Sequence, residues 1–214
     1  MNAQLLVIAK APVPGRVKTR LCPPCTPQQA AAIAAAALAD TITAVTATPA
    51  LHRILVIDGE HPTPPGWTAV AQRGDGLGER LAHAYTDTAL PGVPTVLVGM
   101  DTPQLTPHLL TAAADALDVA DAALGFADDG GWWILALRDP AHAAVLAAVP
   151  MSTADTGART LAALHRLGLR VARLDTLRDV DTAADAHAVA AAHPRGRFAA
   201  AVGTHLPAPD GARR

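Results

Sequence analysis

Apolar positions fall along the chain in two recurring patterns. Residues 5–9 (Leu-Leu-Val-Ile-Ala), 53–57 (Arg-Ile-Leu-Val-Ile) and 95–98 are short, nearly unbroken apolar runs. Runs of that length read as strands buried on both faces. Between them, apolar residues recur at helical spacing. Thr26-Pro27 supplies an N-cap and N1 pair, and the Ala/Leu/Ile pattern then continues to about Val45. Residues 67–71 predict a short strand, and 74–78 (Gly-Asp-Gly-Leu-Gly) open a helix that continues past Arg80 and Leu81 to Ala84. Thr106-Pro107 starts another helix. Residues 122–126 and 132–137 predict strands about an Asp-Asp-Gly-Gly bend. Helices are predicted near 141–148, 154–167 and 182–192, with a last strand at 170–174.

Strand and helix alternate throughout, so the pattern predicts an α/β fold: a mostly parallel sheet with helices on both faces. No internal repeat is present. In such sheets ligands sit beyond the carboxyl ends of the strands, and the unusual residues fall there. Residues 1–194 are expected to form one domain. The stretch 195–214, rich in Pro, Gly, Ala and Arg, is expected to be a mobile tail.

Composition refines this. Half of the 214 residues are apolar but only 3% are aromatic, so Ala, Val and Leu must fill the core. The net charge of −2 supplies no global basic field for nucleic acid. No apolar run is read as reaching the roughly 18 residues of a membrane span, and the opening lacks a signal-peptide pattern. A cytoplasmic protein is expected, with no nucleic-acid or membrane partner and a homodimer left open. Cys22 and Cys25 form neither a disulfide framework nor a four-ligand zinc set and are read as incidental. The Gly-x-Ser-x-Gly elbow of serine hydrolases is absent.

Five constellations carry candidate chemistry. Lys10, Arg16, Lys18 and Arg20 surround a Pro/Gly turn that includes Pro14 and Gly15. Such a loop can wrap phosphates with N–H groups and cations; a solvated basic loop has the same composition. Gly74, Gly76, Leu77 and Gly78 allow close backbone approach at a helix N-terminus, or simply a tight turn. Asp101 ends a strand, where a carboxylate can hold Mg²⁺ or cap a turn. Asp128, Asp129, Gly130, Gly131, Trp132 and Trp133 suggest a substrate floor, or a hairpin bend with one buried Trp. Asp179 and Asp181 share a side of an extended segment and could complete a metal site, while Asp181 or Thr182 with Asp185 fits helix capping.

Taken in order, these segments resemble a family. The motifs are Ala-Lys-x-Pro-x-Pro-Gly-x-x-Lys-Thr-Arg-Leu, Gly-x-Leu-Gly-x-Arg-Leu, Gly-x-Asp-x-Pro-x-Leu, Asp-Gly-Gly-Trp-Trp, Ser-Thr-x-x-Thr and Asp-Val-Asp-Thr. The chain resembles, over roughly residues 4–192, the glycosyltransferase-like transferases related to 2-phospholactate guanylyltransferase, within the GT-A (nucleotide-diphospho-sugar transferase) superfamily. The resemblance implies a three-layer α/β/α sandwich. It implies a Mg²⁺- or Mn²⁺-dependent transferase with a nucleotide or nucleotide-sugar donor and a small-molecule acceptor. By it Lys10, Arg16, Lys18 and Arg20 handle phosphates, and Gly74, Gly76, Leu77 and Gly78 edge the base pocket. Asp101 binds the metal with Asp181. Asp128, Asp129, Gly130, Gly131 and Trp132 face the acceptor, covered by Ser152 and Thr153. Lys18, Asp101 and Asp129 are the expected catalytic residues. Tryptophans replace the family's usual tyrosines at 132 and 133, Met151 stands where relatives often carry Trp, and Asp101 is a single acid rather than Asp-x-Asp.

Three functions are compatible with these residues. Glycosyl transfer expels a nucleoside diphosphate and needs a carboxylate base. Nucleotidyl transfer to an anionic acceptor expels pyrophosphate and needs none. A nucleotide-binding module without turnover is the third.

Overall fold

The computed structural model describes residues 2–208. The apolar runs assemble into one sheet of β1 (Gln4–Lys10), β2 (Arg53–Asp58), β3 (Thr68–Ala71), β4 (Thr95–Val98), β5 (Ala122–Ala127), β6 (Trp132–Leu137) and β7 (Val171–Leu177). The strand order is β3-β2-β1-β4-β6-β5-β7. β1 pairs in parallel with β2 and β4, β2 with β3, and β5 with β7. Only β6 runs against its neighbours, β4 and β5, because residues 128–131 are far too few for a crossover and must form a hairpin. The helices are α1 (Pro27–Ala47), α2 (Leu77–Thr88), α3 (Pro107–Asp115), α4 (Thr156–Arg166), α5 (Ala183–Ala192) and α6 (Arg197–His205). Residues Pro140–Ala148 form a 3₁₀ segment.

Alternation along each strand divides the core. Leu5, Val7 and Ala9 face the α1 and α3 side with Leu55, Val96 and Ile134. Leu6 and Ile8 face the other side with Ile54, Val56 and Leu97, under Leu81 and Tyr85 of α2 and Leu164 of α4. A strand buried on both faces must be apolar at every position, which is why these runs do not alternate with polar residues.

Local signals set the helix ends as expected. Thr26 and Gln29 form a capping box before Pro27, and Thr182 and Asp185 form another at α5. By length and composition α1 could cross a bilayer, with mean hydropathy 1.6 over its most apolar window, contrary to the sequence expectation. Half of that window is buried inside the fold. α1 is covered on both sides, which accounts for its apolar circumference.

The expected mobile tail is also corrected. Residues 197–205 form α6, and Phe198, Val202 and Leu206 pack on Ile33 and Ala37 of α1 in a third cluster. The Asp40 carboxylate accepts from the backbone N–H groups of Arg197 and Phe198, at 3.1 and 2.8 Å, and caps α6 from α1. The spacing 198, 202, 206 is a helical stripe that Gly- and Arg-rich composition disguised. Residues 209–214 of the expected tail lie outside the described residues.

Gly78 shows what holds α2 in place. A Cβ there would run into the Leu146 carbonyl of the 3₁₀ segment. Gly78→Ala is therefore expected to lose about 1–3 kcal/mol by overpacking, a fall of roughly 3–8 °C in Tm for a chain of this size. Gly203→Ala in α6, where a Cβ meets open space, should instead gain up to about 1 kcal/mol from helix propensity. Thermal melts of the two variants check the opposite signs.

Candidate active site

The strand ends deliver charged side chains to one edge of the sheet. There a cleft of about 840 Å³ is lined by residues from both ends of the chain. Its β3-β2-β1 half is built from the loop after β1 and the start of α2. Lys10, Arg16, Lys18 and Arg20 line it, as do Gln72, Asp75, Leu77 and Arg80. Pro14 and Gly15 are exposed and shape the loop from behind, with Gly15 at φ 78° turning it. Of the expected base-pocket edge, Leu77 lines the cleft, while Gly74, Gly76 and Gly78 flank the lining residues without joining them. Gly74 (φ 120°) packs on Glu79, Gly76 caps α2, and Gly78 packs on Leu146. Close packing at Gly74 and Gly78 fixes the start of α2, from which Leu77 and Arg80 reach the cleft; a Cβ at Gly76 would meet open space. Arg80 is held by Asp58 Oδ2 and the Gly74 carbonyl, both at 3.0 Å.

Lys18 sits at the centre. Its ammonium pairs with Asp101 Oδ1 at 2.5 Å, lies 3.7 Å from Asp181 Oδ1, and donates to the Val180 carbonyl. The Lys18 side chain is only 6% exposed, against 50% for Asp101. Of the three donors of the ammonium, Asp101 and the Val180 carbonyl take two, and Asp181 adds charge at longer range. Lys18 is thus turned towards carboxylates rather than towards a phosphate. Arg20 Nη1 pairs with the other oxygen of Asp181 at 2.7 Å. Lys18 and Ser152 are the non-glycine residues with left-handed backbone among those described (φ 47° and 58°), and both line the cleft. Strained backbone of this kind concentrates at functional sites.

Beyond Lys18 the charge reverses. Asp129, Asp179 and Asp181 bring carboxylate oxygens within 4.8 Å of one another. Asp179 is pushed up to about 6, first by burial and then by the negative charges of Asp129 and Asp181, with Lys18 pulling the other way. Three crowded carboxylates, one of them reluctant to ionise, suit a hard divalent cation with oxygen ligands. The grouping differs from the sequence expectation: Asp181 gathers with Asp129 and Asp179, while Asp101 is engaged by Lys18.

The β6-β5-β7 half also holds Gly131, Trp132, Trp133, Met151, Ser152 and Thr153. Asp128 is corrected: it lies outside the cleft lining and faces Arg178 Nε at 3.3 Å. Asp129 turns inward, with Oδ1 accepting from the Gly131 N–H at 2.7 Å. Gly130 is not an opening for ligand. At φ 89° its missing Cβ is replaced by the Ala154 carbonyl, and Gly157 N–H donates to the Gly130 carbonyl at 2.8 Å. The bend is a dock for the loop before α4. Trp133 is buried and donates to the Asp175 carbonyl at 3.0 Å, while Trp132, on the opposite strand face, stays half-buried at the rim. Sequence reading assigned no role to Arg80 or to Thr102, whose buried hydroxyl lines the cleft without a protein partner. Arg80 was visible inside the Gly-x-Leu-Gly-x-Arg-Leu motif; Thr102 carried no signal of its own.

The sheet, its single reversed strand and the cleft along its edge define an α/β fold of the nucleotide-diphospho-sugar transferase type. A Desulfovibrio desulfuricans G20 protein that bears the name of such a transferase superposes with a TM-score of 0.85 at 27% identity, over 95% of each chain. The chain belongs to the family described as uncharacterized protein conserved in bacteria (DUF2064), whose model matches residues 29–153. Two further likenesses, both below 25% identity, concern the fold. A manganese complex of Rv0371c from Mycobacterium tuberculosis H37Rv gives a TM-score of 0.53 at 22% identity, over 88% of this chain and 98% of that one. The 2-C-methyl-D-erythritol 4-phosphate cytidylyltransferase from Thermus thermophilus gives 0.56 at 14% identity, over 91% and 100%. No match was found among curated proteins.

Proposed function

We propose that the protein is a nucleotide-utilising transferase that binds a nucleotide-sugar and passes the sugar to a small-molecule acceptor. The observation that carries this is one cleft in which Lys10, Arg16, Arg20 and Arg80 stand across from Asp129, Asp179 and Asp181, with Lys18 between Asp101 and Asp181. Lys10, Arg16 and Arg20 would take the diphosphate, and Leu77 and Arg80 would bound the nucleoside. Asp129, Asp179 and Asp181 would hold a divalent ion, Mg²⁺ or Mn²⁺, which supplies charge neutralisation on the departing diphosphate. Lys18 would keep Asp101 and Asp181 together. In the transfer, the acceptor oxygen bonds to the anomeric carbon as that carbon's bond to the diphosphate breaks. The electron pair leaves with the nucleoside diphosphate, and the acceptor proton passes to a carboxylate of the cleft that does not hold the ion, the half-exposed Asp101 being one such group.

The relation to 2-phospholactate guanylyltransferase belongs to a second reading, nucleotidyl transfer with release of pyrophosphate. The number of cations around the β1 loop favours it, because a triphosphate needs more of them. Thermal-shift titrations separate the two. A nucleotide-sugar that stabilises the protein more than any nucleoside triphosphate, with Mg²⁺ or Mn²⁺ present, supports glycosyl transfer; the reverse order supports nucleotidyl transfer. Arg16→Ala is expected to weaken nucleoside diphosphate binding by about tenfold, near 1.4 kcal/mol, and to leave binding of the bare nucleoside unchanged. Equal loss for both ligands would remove Arg16 from the phosphates.

A further inference from the structure

Sorting the cleft lining by strand shows an unequal division of charge. Lys10, Arg16, Lys18, Arg20 and Arg80 come from the end of β1, the loop after it and α2, on the β3-β2-β1 side of the sheet. Among the described residues the β6-β5-β7 side contributes Asp129, Asp179 and Asp181 to the lining but no Lys or Arg of its own, and Asp181 meets Arg20 and Lys18 from across the cleft. Arginines exist on that side and are turned elsewhere. Arg159 pairs with Asp155 at 2.6 Å, Arg178 with Asp128 at 3.3 Å, and the Arg173 guanidinium lies 4.9 Å from the centre of the Phe126 ring. The remaining lining there is neutral: the half-buried rings and chains of Trp132 and Met151, and the hydroxyls of Ser152, Thr153 and Thr156.

A phosphorylated or carboxylated acceptor would need a cation within reach to replace its hydration. This half has none. A divalent ion on Asp129, Asp179 and Asp181 would be neutralised by those carboxylates, so it offers an acceptor little unbalanced positive charge. The hydroxyl groups and the Trp132 face instead match a molecule that is polar on one side and apolar on the other.

We propose that the β6-β5-β7 half of the cleft receives an uncharged, hydroxyl-bearing acceptor laid against Trp132, and that it rejects phosphorylated acceptors. This rests on the reading of the cleft as a transferase site and selects the glycosyl over the nucleotidyl form of it. Trp132 is the residue that sets acceptor specificity by stacking.

The test uses the full chain and two aryl probes that differ in charge, p-nitrophenyl β-D-glucoside and p-nitrophenyl phosphate. Binding is followed by saturation-transfer NMR and calorimetry, first alone and then with a nucleoside diphosphate and Mg²⁺. The glucoside is expected to bind at least about tenfold more tightly than the phosphate, and Trp132→Ala to abolish that preference. Equal or tighter binding of the phosphate, or no binding of either probe at millimolar concentration, overturns the inference. The wild-type comparison stands even if the Trp132 variant misfolds. The transferase reading is scored separately, by nucleoside diphosphate binding on the same sample. A chain that takes the glucoside but no nucleotide defeats the transferase reading alone. A chain that takes nucleotide with Mg²⁺ yet prefers the phosphate defeats only the neutral acceptor.

Discussion

Replacing Lys18 with methionine is expected to cost about 2–3 kcal/mol and to lower Tm by roughly 5–10 °C. The methionine side chain fills similar space but leaves Asp101 and Asp181 facing each other without the ammonium that lies 2.5 Å from one and 3.7 Å from the other. Losing one partner of a fully buried pair costs about 3–5 kcal/mol. The lower figure allows for solvent at Asp101, whose side chain is half exposed. Two rescues follow from the same electrostatics. Adding Asp101→Asn should restore most of the loss, because the pair is then neutral on both sides. Millimolar Mg²⁺ should restore part of it in the single variant, since a divalent ion can take over the neutralisation. Melts of the two variants with and without Mg²⁺ decide the matter, and a Lys18→Met protein as stable as the parent would show that the ammonium is only solvated there.

Asp179→Asn is expected to act in the opposite sense on stability and to remove metal binding. Asp179 has its folded pKa raised from 3.8 to about 6, so the folded state binds its proton more tightly than the unfolded chain does. Stability from this group is therefore full at low pH and is lost as pH rises through about 6. Above that, the parent protein carries the penalty of a crowded carboxylate. Asparagine removes it, giving about 1–2 kcal/mol once solvent screening of a half-buried group is allowed for. The corresponding rise is roughly 3–6 °C at neutral pH, and little change is expected near pH ~4. Loss of one of three ligands should weaken Mn²⁺ binding by about a hundredfold or more, measured by calorimetry. An Asp179→Asn protein with unchanged Mn²⁺ affinity would leave the acidic cluster without a metal role. A gain in stability with a loss of metal response is the pattern expected where a fold tolerates repulsion for the sake of a ligand.

Much of the architecture was legible because it rests on local rules. The apolar runs of β1, β2 and β4, the capping box at Thr26, and the Asp-Asp-Gly-Gly bend each specify their element within a few residues. What could not be read depends on contacts between distant segments. Lys18, Asp101 and Asp181 looked like separate phosphate and metal residues, yet their pairing spans the chain from β1 to the end of β7. Asp128 and Asp129 are indistinguishable as neighbours; only the turn geometry sends one to Arg178 and the other into the cleft. Gly78 and Gly130 read as ligand clearances, whereas the atoms that require them are the carbonyls of Leu146 and Ala154. Asp179 was readable as a partner of Asp181 by strand alternation, but its inclusion with Asp129 required the β5–β7 pairing.

The reversed strand β6 has a consequence for how such a protein can diversify. β4 reaches the cleft by its end, through a connection that carries α3 back along the sheet. β6 reaches it by its beginning, through the short bend 128–131. Trp132, at the rim beyond that bend, can be exchanged without rerouting any helix, while Gly130 is held by its packing on Ala154. Over evolutionary time, or at the bench, the rim at Trp132 is open to retailoring while the helix-bearing connections around it stay as they are.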